Sequence, residues 1–309
     1  MDHGATKINK WTKSILSQTG CNISTPGWFY IPFKDYIKHF KITTITQNES
    51  DYEHNSLALI ERKEYAVIKL TLKTNSHLYI TVSQINPRLL KSKFADIPPS
   101  SSNIMICKAN SSPKAKEPQL KYITGKFSHE RELVWNSESS LGLGTYIIFV
   151  EIDWSKEAQV FEYIVSTYSE SETHLADVTD EYEKSDILNQ MLTACALKSK
   201  SYSYEEFSEQ DPNECKLNLR RWMSVEDSGC DYGYILYENK SPAVVLNEEI
   251  NFSKLVGYSV SNLKKSNSIK VNVSPNNKEL ILIKRNSNEW NISLSFKTKI
   301  SYDTNDLLK

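Results

Sequence analysis

Five cysteines and six histidines are the side chains of this 309-residue chain best suited to nucleophilic or metal chemistry. The cysteines (Cys21, Cys107, Cys195, Cys215 and Cys230) are scattered and odd in number, which fits free thiols in a reducing, cytoplasmic compartment better than a disulfide frame. No Cys-x-x-Cys or His-x-x-x-His pair brings two soft ligands onto one turn, and no histidine follows His174, so a closed zinc site is not expected. A Gly-rich phosphate loop is absent too. The acidic run Glu170, Glu172, Asp177, Asp180, Glu181 and Glu183 supplies oxygens of the kind calcium needs. It lacks the tight Asp-x-Asp spacing that wraps several oxygens around one ion, and it reads as a solvated linker. No cofactor or metal is expected from these patterns.

One stretch carries charge of a single sign. From 88 to 126, Arg88, Lys91, Lys93, Lys108, Lys114, Lys116, Lys121 and Lys126 stand against only Asp96 and Glu117. The bland reading is a pair of solvated, lysine-decorated loops. The functional reading is a basic face for an acidic protein partner or an anionic membrane. A formal net charge of −1 leaves no global field to steer nucleic acid, and Phe94 and Tyr122 are too sparse to stack single-stranded bases.

These side chains must be positioned by strands for the most part. Alternation of period two begins near Ser56 and gives eight candidates, Leu57–Glu61, Tyr65–Leu72, His77–Gln84, Ile104–Lys108, Leu120–Thr124, Glu130–Trp135, Thr145–Ile152 and Val160–Thr167. In Thr145–Ile152 both alternating sets are apolar, which predicts a strand buried on both faces. Eight short strands in this span predict a two-sheet sandwich over residues 55–175. Residues 176–200 break the rhythm: Ile187, Leu188, Met191, Leu192 and Cys195 make one helical stripe, with Ser185 as the expected cap. That helix is expected to connect two domains. Residues 201–309 return to strands (Leu217–Met223, Gly233–Glu238, Ala243–Leu246, Val256–Val260, Ile269–Val273, Glu279–Ile283 and Asn291–Phe296) and predict a second antiparallel β-sandwich. The fold class is therefore mainly β: two β-sandwiches, a connecting helix and an N-terminal aromatic strand-helix segment in residues 1–54.

The aromatic segment runs Gly27 to Phe40. Trp28 to Ile31 suit a strand, Pro32 suits a helix start, and Phe33, Tyr36, Ile37 and Phe40 share one helical face. Residues 1–11 hold no apolar core of a signal peptide, and no run is long enough to span a bilayer.

The segment 27–40 resembles the piece that closes a calpain protease core. Leu78 to Gln84 with Asn86-Pro87-Arg88, and Leu143-Gly144-Thr145-Tyr146, resemble elements of the calpain C2-like β-sandwich. The similarity covers roughly residues 27 to 168. It implies a calpain-like architecture with a C2-like first sandwich. The family's protease needs a Cys–His–Asn constellation. Cys21-Asn22-Ile23, His3-Gly4-Ala5 and Asn9-Lys10-Trp11 do not match its motifs, so the chain is not expected to be an enzyme.

The leading expectation is a non-catalytic calpain-like structural or interaction module within a larger protein assembly, of a cytoskeletal kind such as a microtubule-based ciliary axoneme. Two others stand beside it. One is a C2-like module docking on anionic membrane through the basic face; the other is an accessory subunit of a separate cysteine protease.

Overall fold

The structure is a computed structural model that describes residues 34, 36, 38, 51–59, 64–85, 98–110, 119–155, 161–199, 219–225, 228–242, 244–263, 267–286 and 293–304. The chain divides into two units, Met1–Ser50 and Asp51–Lys309. In the first, Lys34, Tyr36 and Lys38 are helical, within the stretch whose spacing predicts a helix. The rest of the aromatic segment, with Cys21 and Trp11, lies outside the described residues.

Among the described residues, the second unit is built from four antiparallel sheets, one α-helix and a short 3-10 helix at Thr179–Glu181. Its strands are β1 (Glu53–Leu59), β2 (Tyr65–Leu72), β3 (Leu78–Gln84), β4 (Ser101–Asn110), β5 (Gln119–Ser128), β6 (Glu132–Asn136), β7 (Gly144–Asp153), β8 (Tyr163–Ser169), β9 (Thr173–Asp177), β10 (Leu219–Ser224), β11 (Tyr232–Asn239), β12 (Val244–Val256), β13 (Tyr258–Val260), β14 (Ser268–Val273), β15 (Asn277–Arg285) and β16 (Ser293–Thr304). The helix, here α1, spans Lys184–Lys198. Sheet I has the order β1-β8-β3-β6, sheet II β5-β4-β7-β2-β9, sheet III β10-β11-β15-β13 and sheet IV β14-β12-β16. The mainly β fold class expected from the sequence is what the structure shows.

Three cores explain how these sheets stack. Because neighbouring residues of a strand point to opposite faces, one strand can serve two cores. On β7, Tyr146, Ile148, Val150 and Ile152 enter a core shared with sheet I, while Ile147 and Phe149 enter another shared with α1 and sheet III. On β11, Tyr232, Tyr234 and Leu236 join that middle core, and Ile235 and Tyr237 face a third core against sheet IV. Sheets II and III are thus buried on both faces, and the layers run I, II, III, IV. The stripe Ile187, Leu188, Met191, Leu192 and Cys195 of α1, together with Ala196, lies wholly in the middle core. Each fully buried side chain such as Ile148 contributes roughly 1.5–3 kcal/mol.

Four local expectations are corrected. Ser185 is inside α1; Glu183 holds the N-cap position and makes no side-chain cap hydrogen bond. The acidic run is not wholly a linker, because Thr173–Asp177 pairs with β2 as an edge strand. Of the expected strand Ala243–Leu246, Val244–Leu246 begins β12, which continues to Val256 through a register irregularity between Phe252 and Lys254; the polar residues between alternate with Leu246, Ile250 and Phe252 and follow the two faces of one strand. The basic stretch is not a pair of loops where it is described: Ser101–Asn110 and Gln119–Ser128 form a paired hairpin on sheet II.

Candidate functional site

Of the basic residues, Lys108, Lys121 and Lys126 are described, and Arg88, Lys91, Lys93, Lys114 and Lys116 lie outside the described residues. Lys108 pairs with Lys121 and Ile104 with Lys126 across β4 and β5, and a bulge between Ile106 and Cys107 shifts the register by one. That extra residue puts Lys121 and Lys126 on the same face, four rungs apart, or about 13 Å. Their charges are unequally available. Lys108 Nζ donates to the carbonyls of Leu143 (2.9 Å) and Gly142 (3.4 Å) and lies over the Tyr146 ring, while Lys126 Nζ donates to the Val134 carbonyl. Lys121 is exposed.

A different surface was not anticipated by charge or motif. The solvent face of sheet I is built rung by rung from strand register. His54, Tyr168, Tyr79 and Asn136 form one rung across β1, β8, β3 and β6. Ser56, Ser166, Thr81 and Val134 form the next, and Ala58, Ile164, Ser83 and Glu132 the third. The His54 and Tyr168 rings stack with centroids 4.6 Å apart, and Tyr52 lies 6.0 Å from Tyr79. Val134, Ile164 and Tyr168 are 39%, 41% and 40% exposed, so this one face holds three of the six large apolar side chains left exposed among the described residues. Period-two alternation could have found it, since Tyr79, Tyr168 and Ile164 are on the odd-man-out face of their strands, but rings suit either face of a strand.

The layer at the opposite end of the stack behaves differently. On sheet IV the outward residues of β12 and β14 include Asn247, Glu249, Asn251, Ser253, Lys270 and Asn272, and Asn272 donates a 2.7 Å hydrogen bond to Asn247. That is the ordinary polar coat of a sheet with one face in water.

Between sheets II and III, the middle core ends in a charged cluster. Glu151 on β7 is buried, and its carboxylate accepts from Lys184 of α1, from Lys284 of β15 at 3.1 Å, and from the Tyr232 hydroxyl of β11. Burial alone would raise its pKa, but the charges of Lys284 and Lys184 and the hydrogen bonds of Lys184 and Tyr232 hold it below the usual carboxylate range. The same burial, followed by the Glu151 charge, drives the Tyr232 hydroxyl up, so the phenol stays a donor. Asp231 behaves oppositely: burial pushes its carboxyl up to about 7 against the pull of Arg285 and Lys284. Two sheets and the helix meet here through ions, and no alternation pattern could have paired residues so distant in sequence.

Cys107, Cys195 and Cys230 are buried in the same middle core. Burial pushes the Cys107 thiol far up and Cys230 up to about 12, which leaves thiols and not nucleophilic thiolates. Among the described residues no group of three or more His, Cys, Asp or Glu could hold a metal ion, and no helix is long and apolar enough to cross a membrane. A cavity of about 560 Å³ at the end of sheet II is lined by Lys69, Lys108, Thr145, Glu181 and Tyr182 among others.

Comparisons with known proteins add little. No family model matches the chain, and no curated protein matches it. Among solved structures, vicilin from Capsicum annuum is 9% identical over 82% of this chain and 75% of its own, with a TM-score of 0.19. The CBM22-1-CBM22-2 tandem of Paenibacillus barcinonensis Xyn10C is 8% identical over 81% and 74%, with a TM-score of 0.17. Lactobacillus farciminis oxalate decarboxylase is 10% identical over 86% and 90%, with a TM-score of 0.14. At such TM-scores these likenesses carry no argument about fold or function.

Proposed function

We propose that the chain is a non-catalytic structural and interaction module that docks a protein partner through the solvent face of sheet I. The observation behind this reading is the asymmetry of the two outermost layers. On sheet IV the described outward residues of β12 and β14 are mostly Asn, Glu, Ser and Lys, with Val256 exposed at the end of β12, whereas sheet I offers Tyr168, Ile164 and Val134 with His54 and Tyr79 beside them. Exposed apolar side chains gathered on one face among polar ones mark interaction sites, and tyrosine is enriched in them; here Ser166 and Thr81, both buried, lie between Tyr168, Ile164 and Val134. Ser56, Asn136 and Glu132 supply the polar margin on the flanking strands.

The setting in a larger assembly, of a calpain-like and cytoskeletal kind, belongs to the same proposal. It rests on the resemblance of residues 27–168. The test is affinity capture of the tagged chain from its native cells, comparing the wild type with Tyr168→Ser combined with Ile164→Ser. Partners enriched with the wild type should be lost with the double variant, while the thermal midpoint changes little, because exposed substitutions alter stability by only about 0.5 kcal/mol. An unchanged partner set with the double variant would sink the docking face. Tubulin missing from the wild-type set would remove the cytoskeletal setting alone.

A further inference from the structure

The contact between sheets II and III holds a carboxyl group that the interaction face does not use. Asp231 enters β11 from a turn pressed against sheet II. Its backbone N–H donates to Asn103 Oδ1 of β4 at 2.9 Å, its carbonyl accepts from the Arg285 N–H at 2.8 Å, and the Tyr122 hydroxyl of β5 donates to the Ser228 carbonyl of the same turn. A Cβ on Gly125 or on Gly229 would overlap the other chain segment, so β5 and the turn touch backbone to backbone.

Inside this tight contact the Asp231 side chain is ill served. Asp231 and Asn103 are 5% and 1% exposed, and neither Asp231 Oδ2 nor Asn103 Nδ2 has a hydrogen-bond partner among the described residues. The charges around it conflict. From β7 come the carboxylates of Glu151 and Asp153; from β15 come Lys284 and Arg285; the turn itself adds Cys230. Lys284 is already bonded to Glu151, as is Lys184 from α1. A carboxylate at Asp231 would therefore be buried, short of one donor and beside two like charges, whereas a neutral carboxyl avoids most of that penalty.

We propose that the junction of sheets II and III is a pH-sensitive latch, closed while Asp231 is protonated and loosened when Asp231 ionises. The sign follows from linkage: a carboxyl whose folded-state pKa lies above its unfolded value contributes stability below the unfolded value and loses it as pH rises through the folded one. For Asp231 that window runs from its ordinary 3.8 to about 7. This goes beyond the docking function, since the latch lies between inner layers and regulates how firmly they hold together.

The experiment is hydrogen exchange of the full chain, corrected for intrinsic rates, at the β11 amides of Tyr234 and Leu236. Between about pH 5 and pH 8 exchange in the wild type should rise by about tenfold to a hundredfold, and in Asp231→Asn it should rise less than about twofold. A flat wild-type profile, or an equal rise in Asp231→Asn, would overturn the latch. If Asp231→Asn does not fold, carboxyl NMR of the wild type decides. A titration midpoint near 7 that coincides with the exchange rise supports it, and a midpoint in the ordinary aspartate range refutes it.

Discussion

Replacing Glu151 by Gln tests whether the charged cluster ties sheet II to sheet III. Glutamate accepts from three donors here: the Lys184 and Lys284 ammoniums and the Tyr232 hydroxyl. Glutamine keeps the shape but has one acceptor oxygen, so its NH2 must face one of those donors, and two positive charges lose their counter-ion. Removing one partner of a buried ion pair costs about 3–5 kcal/mol. The lysine side chains are 34% and 26% exposed against 3% for Glu151, so the ammoniums rehydrate in part and the low end applies. A loss of about 3 kcal/mol, with a urea dependence near 3 kcal/mol per molar, lowers the unfolding midpoint by about 1 M. Adding Lys284→Met should recover part of this, with a coupling of about 1–2 kcal/mol, because the cation left unpaired is gone. The pH dependence carries its own sign. A depressed carboxyl contributes stability above its unfolded pKa and loses it as pH falls through the folded value, so the gap between wild type and variant should be constant near neutrality and close below about pH 4. A midpoint shift under about 0.3 M at neutral pH, with unchanged slope, would refute the cluster as a tie between the layers.

Two further outcomes follow from the same junction. Gly125→Ala should destabilise by about 2–3 kcal/mol by overpacking, read in the same urea titration, because the new methyl meets the Ser228 carbonyl and the Tyr122 hydroxyl at 2.6 Å; a neutral result would mean that β5 and the turn are free to part. Cys107 and Cys230 should resist a thiol reagent at about pH 8 in the native state and react on unfolding, since burial holds both protonated; rapid native labelling at either site would contradict the packing of the middle core.

How much of this was legible depended on whether a residue's environment was set by its own strand. Thr145–Ile152 reads as buried on both faces because both alternating sets are apolar, and β7 is so buried. The stripe on α1 was equally plain, because Ile187, Leu188, Met191, Leu192 and Cys195 all enter one core. β12 was cut short because Asn247, Glu248, Glu249 and Asn251 read as a polar connection. Glu248 faces inward and is matched by Arg221 at 2.5 Å, with the side chains 0% and 13% exposed. A buried carboxylate becomes intelligible only with its partner, and the partner sits on another sheet. The same holds for Glu151, whose three donors come from α1, β11 and β15.

The proposed docking face was only partly legible, for a related reason. In a sheet with one dry face, outward residues normally advertise themselves as polar, as Asn247, Glu249 and Asn251 do on sheet IV. Tyr79, Tyr168 and Ile164 do not; alternation puts Tyr79 opposite Leu78, Ile80 and Val82, but an aromatic or branched apolar residue does not advertise exposure. Only the register shows that His54, Tyr168 and Tyr79 stand side by side on three strands while Leu78, Ile80 and Val82 fill the core behind them. Random composition would have coated both outermost layers alike, since one Asn- and Ser-rich chain supplies both. Among the described residues, three of the six exposed large apolar side chains stand on sheet I and one, Val256, on sheet IV, and the charged ties deeper in the stack hold the sheets behind sheet I in place. On the proposed docking function, removing Tyr168 and Ile164 is expected to abolish partner binding while leaving the fold intact, because both side chains are already exposed.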